Sequence, residues 1–159
     1  MMTNFHMMPD PFWITSHGTA MQIERPQDIQ LVKRAGWGIK VVGKPGTYNV
    51  FHFPIPTPIM TNEGGFKLCV NGVMLQFTTS SDDAIVQSIF INDGAVLLED
   101  YKDVNLSGNV GYKSFYVDSY APLKLGIDIV IHVKFGTEAQ EPTMIFEAAG
   151  CSFTFPYSL

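Results

Sequence analysis

The chain has 159 residues, of which 46% are hydrophobic, 13% aromatic and only 16% charged, so it has much to bury and is not a disordered acidic tail. One core is expected at this length. A formal net charge of −5 argues against a phosphate-tracking surface, so no nucleic-acid partner is expected; no run reaches the ~18 apolar residues of a spanning helix, so no membrane partner is expected either.

Residues 1–10 are expected to form a flexible N-terminal segment, and residues 11–159 a single β-sandwich domain. Met1 to Asp10 lack the basic stretch, apolar run and small-residue cleavage site of a secretory signal. The expected location is therefore cytoplasmic. Phe12 to Ile23 reads as the first strand, with Trp13, Thr15, His17 and Thr19 on one side of it. Arg25-Pro26-Gln27-Asp28-Ile29-Gln30 suits a short helix, because proline fits a first turn, or equally a loop. Leu31 to Val42 is the second strand. Its Lys33, Arg34 and Lys40, with Lys44, form the only local basic grouping and read as a solvated strand edge.

Tyr48 to Phe53 follows, with Tyr48, Val50 and His52 on one side and Phe51 and Phe53 on the other. Pro54, Pro56 and Pro58 then force an extended segment that cannot donate to a ladder. An edge strand leading into a rigid crossover would suit it. In Phe66 to Thr78 the apolar phase changes at Asn71-Gly72: Leu68 and Val70 are even, Val73, Leu75 and Phe77 odd. The pair is either a hairpin turn or a bulge that restores the core face. A bulge is preferred, because Thr79-Ser80-Ser81-Asp82-Asp83 supplies a reversal nearby. Ile85 to Ile91 and Ala95 to Glu99 flank Asn92-Asp93-Gly94, where Asp-Gly reads as the central pair of a hairpin turn with both residues at positive φ.

Leu106-Ser107-Gly108-Asn109 and Phe135-Gly136-Thr137-Glu138 read as further turns. Between and beyond them lie strands at Tyr112 to Val117, Ile127 to Phe135 and Thr143 to Phe155. The clearest is Ile127 to Phe135, where Ile127, Ile129, Ile131, Val133 and Phe135 share one face. Roughly nine short strands without an amphipathic helix between them point to an all-β sandwich or barrel, and the expected fold is a two-sheet antiparallel β-sandwich of jelly-roll-like form.

The four histidines, His6, His17, His52 and His132, match no metal-ligand spacing, and CxxC and HExxH patterns are absent. No metal is expected. There is no G-x-S-x-G elbow, and Gly64-Gly65 leads into a strand rather than a phosphate-cradling helix, so no cofactor is expected. Cys69 and Cys151 lie in apolar strand-like runs and are expected to be buried thiols, with a disulfide between neighbouring strands as the alternative. Two stretches stand out because each joins a histidine to aromatics, and from them the candidate ligand-binding residues are Trp13, His17, Tyr48 and His52. Trp13, Thr15 and His17 would suit stacking and hydrogen bonding on a sugar, or a surface strand closing the end of the sandwich. His52 and Tyr48 would line a pocket, or His52 would simply be held by a hydrogen bond. No catalytic residue is assigned.

The stretches Trp13-Ile14-Thr15-Ser16-His17-Gly18-Thr19-Ala20-Met21-Gln22-Ile23-Glu24, Gly43-Lys44-Pro45-Gly46 and Phe51-His52-Phe53-Pro54-Ile55-Pro56-Thr57-Pro58 resemble a family of small, uncharacterised microbial all-β proteins, a domain of unknown function. Leu106-Ser107-Gly108 and Ala148-Ala149-Gly150-Cys151-Ser152-Phe153 extend the resemblance over most of the chain. It implies a shared β fold with recurring Trp-His-Gly and His-Phe-Pro patterns, and transfers no reaction.

Three functions compete. The first is a binding module for a small-molecule or glycan ligand. The second is a small cofactor-independent enzyme, an isomerase, cyclase or hydrolase, with His17 or His52 as general acid or base beside Asp118 or Asp128. The third is a self-assembling structural protein, a homo-oligomer built through exposed apolar strands. A concave pocket holding a histidine beside a carboxylate would favour the enzyme, and a flat exposed aromatic platform would favour glycan binding.

Overall fold

A computed structural model describes residues 11–59, 68–80, 82–119 and 121–155. The flexible segment expected at residues 1–10 lies outside the described residues. The strands are β1 (Phe12–His17), β2 (Gln22–Ile23), β3 (Ile29–Ala35), β4 (Gly38–Gly43), β5 (Tyr48–Ile55), β6 (Cys69–Thr79), β7 (Ala84–Asp93), β8 (Val96–Tyr101), β9 (Gly111–Tyr116), β10 (Ile127–Phe135) and β11 (Thr143–Thr154). They form two sheets. The six-stranded sheet runs β3-β4-β11-β6-β9, with β1 beside β11, and the five-stranded sheet runs β2-β5-β10-β7-β8. Every pairing is antiparallel. This is the expected all-β, jelly-roll-like sandwich.

Alternation along each strand decides which side is buried. In β10, Ile127, Ile129, Ile131, Val133 and Phe135 point inward and are buried, while His132 and Lys134 are exposed. Opposite them, β6 and β11 supply Val73, Leu75, Phe77, Met144, Phe146, Ala149, Cys151 and Phe153 to the same core. The phenylalanines set its centre: Phe146 meets Phe51, Phe53 and Phe77 at ring-centroid separations of 5.4, 5.7 and 6.1 Å. Both cysteines are free and buried, as expected. Burial pushes the Cys151 thiol up to about 12 and raises Cys69 as well.

The register of β6 against β11 slips between Ser152 and Phe153, which face Gly72 and Val70 and leave Asn71 unopposed. Asn71-Gly72 is thus the preferred bulge, and β6 continues through it as one strand. Three other expectations are corrected. Phe12 to Ile23 is not one strand: it breaks at a 3-10 turn, Gly18–Ala20, and carries the chain from one sheet to the other. Glycine permits the close backbone approach at this point, since a Cβ on Gly18 would lie 2.0 Å from the Phe146 carbonyl oxygen. Leu31 to Val42 is likewise two strands, a hairpin turning at Gly36-Trp37. β3 is the sheet edge, as Lys33 and Arg34 suggested, whereas Lys40 lies on β4, the next strand in. Arg25–Gln30 does contain a short 3-10 helix, Pro26–Asp28, with proline in the first turn.

The third correction concerns Asp93. It pairs with Val96 as the last residue of β7, so the turn is Gly94-Ala95, with Gly94 at φ 58°. Asp93 is spent elsewhere. Its carboxylate, 5% exposed, accepts hydrogen bonds from the backbone N–H groups of Lys124, Leu125 and Gly126 at 2.7, 2.9 and 2.8 Å. Burial alone would raise its pKa, but the three donors outweigh that and lower it.

Candidate functional site

The two stretches singled out in the sequence fall on different sheets. β1 joins the six-stranded sheet and β5 the five-stranded one, so Trp13 and His17 do not share a site with Tyr48 and His52. Each pair lies on an outward face, and each face has its own chemistry.

On the six-stranded sheet, register builds three rows across β1, β11, β6 and β9: Trp13–Ser152–Gly72–Tyr116, Thr15–Gly150–Met74–Ser114 and His17–Ala148–Gln76–Tyr112. The two central strands carry mostly small residues there, and the flanking strands carry rings. The consequence shows at Trp13. Its indole reaches over Ser152 to the second strand away, where Cη2 lies 3.4 Å from the Cβ position of Gly72. Ser152 is covered to 4% exposure while Trp13 stays 45% exposed. The ring is supported from below and open above. Tyr116 and Tyr112, on the same strand, are 63% and 58% exposed.

A shallow depression of about 350 Å³ lies between Trp13 and Tyr116, lined also by Asn71, Gly72, Ser114 and Ser152. Asn71 Oδ1 is buried beside it and has no hydrogen-bond donor among the described residues. In the third row, Gln76 donates to the Glu147 carboxylate. The free edge of this face is pinned to the other sheet by the Tyr101 hydroxyl, which donates to the Tyr116 carbonyl, and by Tyr101 packing on Phe115 at 4.9 Å between ring centroids.

His17 belongs to the row by register, but its ring is spent on the fold. Nδ1 accepts from the backbone N–H of Thr19 at 3.3 Å and lies 2.9 Å from the Thr19 hydroxyl oxygen; Nε2 lies 3.1 Å from the Gly36 carbonyl oxygen. This set fits the tautomer with the proton on Nε2. His17 therefore ties the end of β1 to the β3–β4 hairpin.

On the five-stranded sheet, His52 stands between two carboxylates. Nδ1 is 2.7 Å from Asp128 Oδ2, and Nε2 is 3.0 Å from Glu24 Oε2. Partial burial by itself lowers the pKa of this imidazole. The hydrogen bonds to Asp128 and Glu24, with their charges, outweigh it and hold the ring above the ordinary histidine value. As a cation it donates from both nitrogens. Nearby, His132 packs on Phe90 with ring centroids 4.8 Å apart. Burial lowers its pKa, partly opposed by Glu24 and reinforced by His52 and Arg25. Tyr48 is exposed on the same face, two positions beyond Val50. The face is a strapped surface rather than a pocket: the cluster fastens β2 and the residue after it to β5 and β10.

The residue-level reading missed Tyr112, Tyr116 and Glu24. A signal for the tyrosines was present, since Tyr112, Ser114 and Tyr116 alternate on a predicted strand. None was available for Glu24, whose meeting with His52 depends on where a two-residue strand pairs.

A family model described as a family of unknown function, DUF6623, matches residues 8–157. No curated protein matches. Among solved structures, the chain is similar to a family two carbohydrate esterase from Cellvibrio japonicus at 7% identity and a TM-score of 0.47; the match covers 94% of this chain and 37% of the esterase chain, so this chain spans little more than a third of it. It is also similar to a family 29 carbohydrate-binding module at 10% identity and a TM-score of 0.48, covering 91% of this chain and 90% of that one. A third is the carbohydrate-binding module CBM36, in complex with calcium and xylotriose, at 10% identity and a TM-score of 0.42, covering 89% and 98%.

Proposed function

The chain belongs to DUF6623, a family of unknown function, and from its own side chains we propose that it is a binding module that takes a glycan on the outer face of the six-stranded sheet. The observation that carries this reading is the Trp13 indole, laid across Ser152 and Gly72 with its upper surface open and with Tyr116 beside it in the same row. A pyranose ring has an apolar face of C–H groups and a rim of hydroxyls. A flat, pre-supported aromatic surface suits the first at little entropic cost, because the ring is already immobilised. The rim finds hydrogen-bonding partners in Ser114 and Gln76.

His17 and His52 favour binding over catalysis. Both nitrogens of His17 and both of His52 are engaged in contacts that hold the fold, whereas a general base needs a nitrogen within reach of a substrate proton.

Calorimetric titration of the protein with a panel of soluble oligosaccharides and polysaccharides tests the reading. Saturable binding is expected for at least one class, with Trp13→Ala weakening it roughly ten-fold or more and Tyr48→Ala, on the opposite sheet, leaving it unchanged. Failure of every glycan to bind the folded protein, or indifference to Trp13→Ala, would overturn it.

A further inference from the structure

We infer, resting on the glycan reading, that the ligand is a linear, uncharged chain several units long, laid along β9 and β6 from the Trp13–Tyr116 row to the Tyr112–Gln76 row. The spacing of the rings carries this. Tyr116 and Tyr112 face the same side of one strand four positions apart, which separates their Cα atoms by ~13 Å, roughly the length of three pyranose units in an extended chain. A single sugar on Trp13 and Tyr116 cannot touch Tyr112.

Between these rows Thr15 and Ser114 are exposed while Gly150 and Met74, between them in the same row, are buried, so no bulky side chain rises in a chain's path. At the far end Tyr112 stands beside Gln76, whose amide donates to Glu147. Ring and planar polar pair repeat there the combination of stacking surface and hydroxyl partners found at Trp13. None of the residues in the three rows carries a formal charge, and Glu147, just beyond Ala148 and hydrogen-bonded to Gln76, adds one carboxylate at the far end; Lys113 alternates to the other face, where its Nζ stands 6.0 Å from the Phe115 ring centre. A chain of uronate or sulfate units would meet no cation and one carboxylate, which disfavours it.

The test is a length series of one neutral glycan, from monosaccharide to hexasaccharide, titrated against wild type, Trp13→Ala and Tyr112→Ala, with an acidic polysaccharide as a parallel arm. Affinity of the wild type should rise with length and level off beyond about four units. Tyr112→Ala should weaken the hexasaccharide roughly five- to ten-fold and leave the disaccharide unchanged, while Trp13→Ala should weaken both. Equal affinity for all lengths, equal effects of Tyr112→Ala on short and long ligands, or preference for the acidic chain would overturn this inference while leaving glycan binding intact. Absence of any binding in every arm would instead overturn the underlying reading. Far-ultraviolet circular dichroism of each variant separates loss of binding from loss of fold.

Discussion

Trp13 and Gly72 lie two strands apart in the six-stranded sheet, yet the indole of the first closes to 3.4 Å of the Cβ position of the second. Strands are ~4.8 Å apart, so the ring must lie across the intervening Ser152 rather than stand upright. Glycine and serine beneath it are what permit this.

The Gly72 position is therefore expected to tune the platform without governing the fold. A methyl there would touch Ser152 Cβ and the indole at ordinary van der Waals distance, so Gly72→Ala should change stability by less than about 1 kcal/mol. Gly72→Leu should displace the ring and reduce glycan affinity, with thermal unfolding still cooperative. Denaturation and titration of the two variants check this; unimpaired binding by Gly72→Leu would mean that the ring's posture is irrelevant.

Gly18 should behave in the opposite way. β11 exchanges its partner from β4 to β1 at Glu147, and Gly18 there packs against backbone, with a Cβ falling 2.0 Å from the Phe146 oxygen and 2.7 Å from its carbon. Backbone in a ladder has little room to give. Gly18→Ala is expected to cost about 3 kcal/mol or more, while Gly36→Ala, with no atom within 4 Å of the new methyl, should be near neutral. Urea midpoints of the two variants decide the matter.

The His52 cluster makes stability depend on pH with a definite sign. Its folded pKa is raised above 6.5, so the contribution of the pairs to Asp128 and Glu24 is fully present below that unfolded value and is lost as pH rises through the folded one. Glu24 is half exposed, which screens its part of the interaction. At pH 6 the wild type should exceed His52→Gln by about 0.5–1 kcal/mol. The gap should shrink as pH rises above 6.5, and chemical denaturation at intervals from pH 6 to 9 would reveal it. A gap that stays constant or widens would show that the imidazolium is not the stabilising form.

Much of this architecture is legible from local pattern. Period two in Ile127 to Phe135 assigns its inner and outer faces before any partner is known, because successive side chains of a strand alternate. The slip at Asn71 is visible for the same reason: an extra residue reverses the phase within a few positions. Where the pattern runs on unbroken, it misleads. Leu31 to Val42 and Phe12 to Ile23 each look continuous, yet the first turns at Gly36-Trp37 and the second leaves its sheet at Gly18. Asp93-Gly94 reads as a turn, but Asp93 is held in β7 by Val96 across the ladder and by three N–H donors from residues 124–126.

The sequence by itself determined which residues face the core and which face outward, and it named Trp13, His17, Tyr48 and His52 as the unusual ones. Only the tertiary structure decided that Trp13 shares a face with Tyr112 and Tyr116 rather than with His52, and that His52 lies between Glu24 and Asp128, 28 and 76 positions away. The reason is physical. Alternation is a property of one strand, whereas sheet order and register are set by hydrogen-bonded partners distant along the chain, and a surface made of three or four strands exists only once those partners have been chosen.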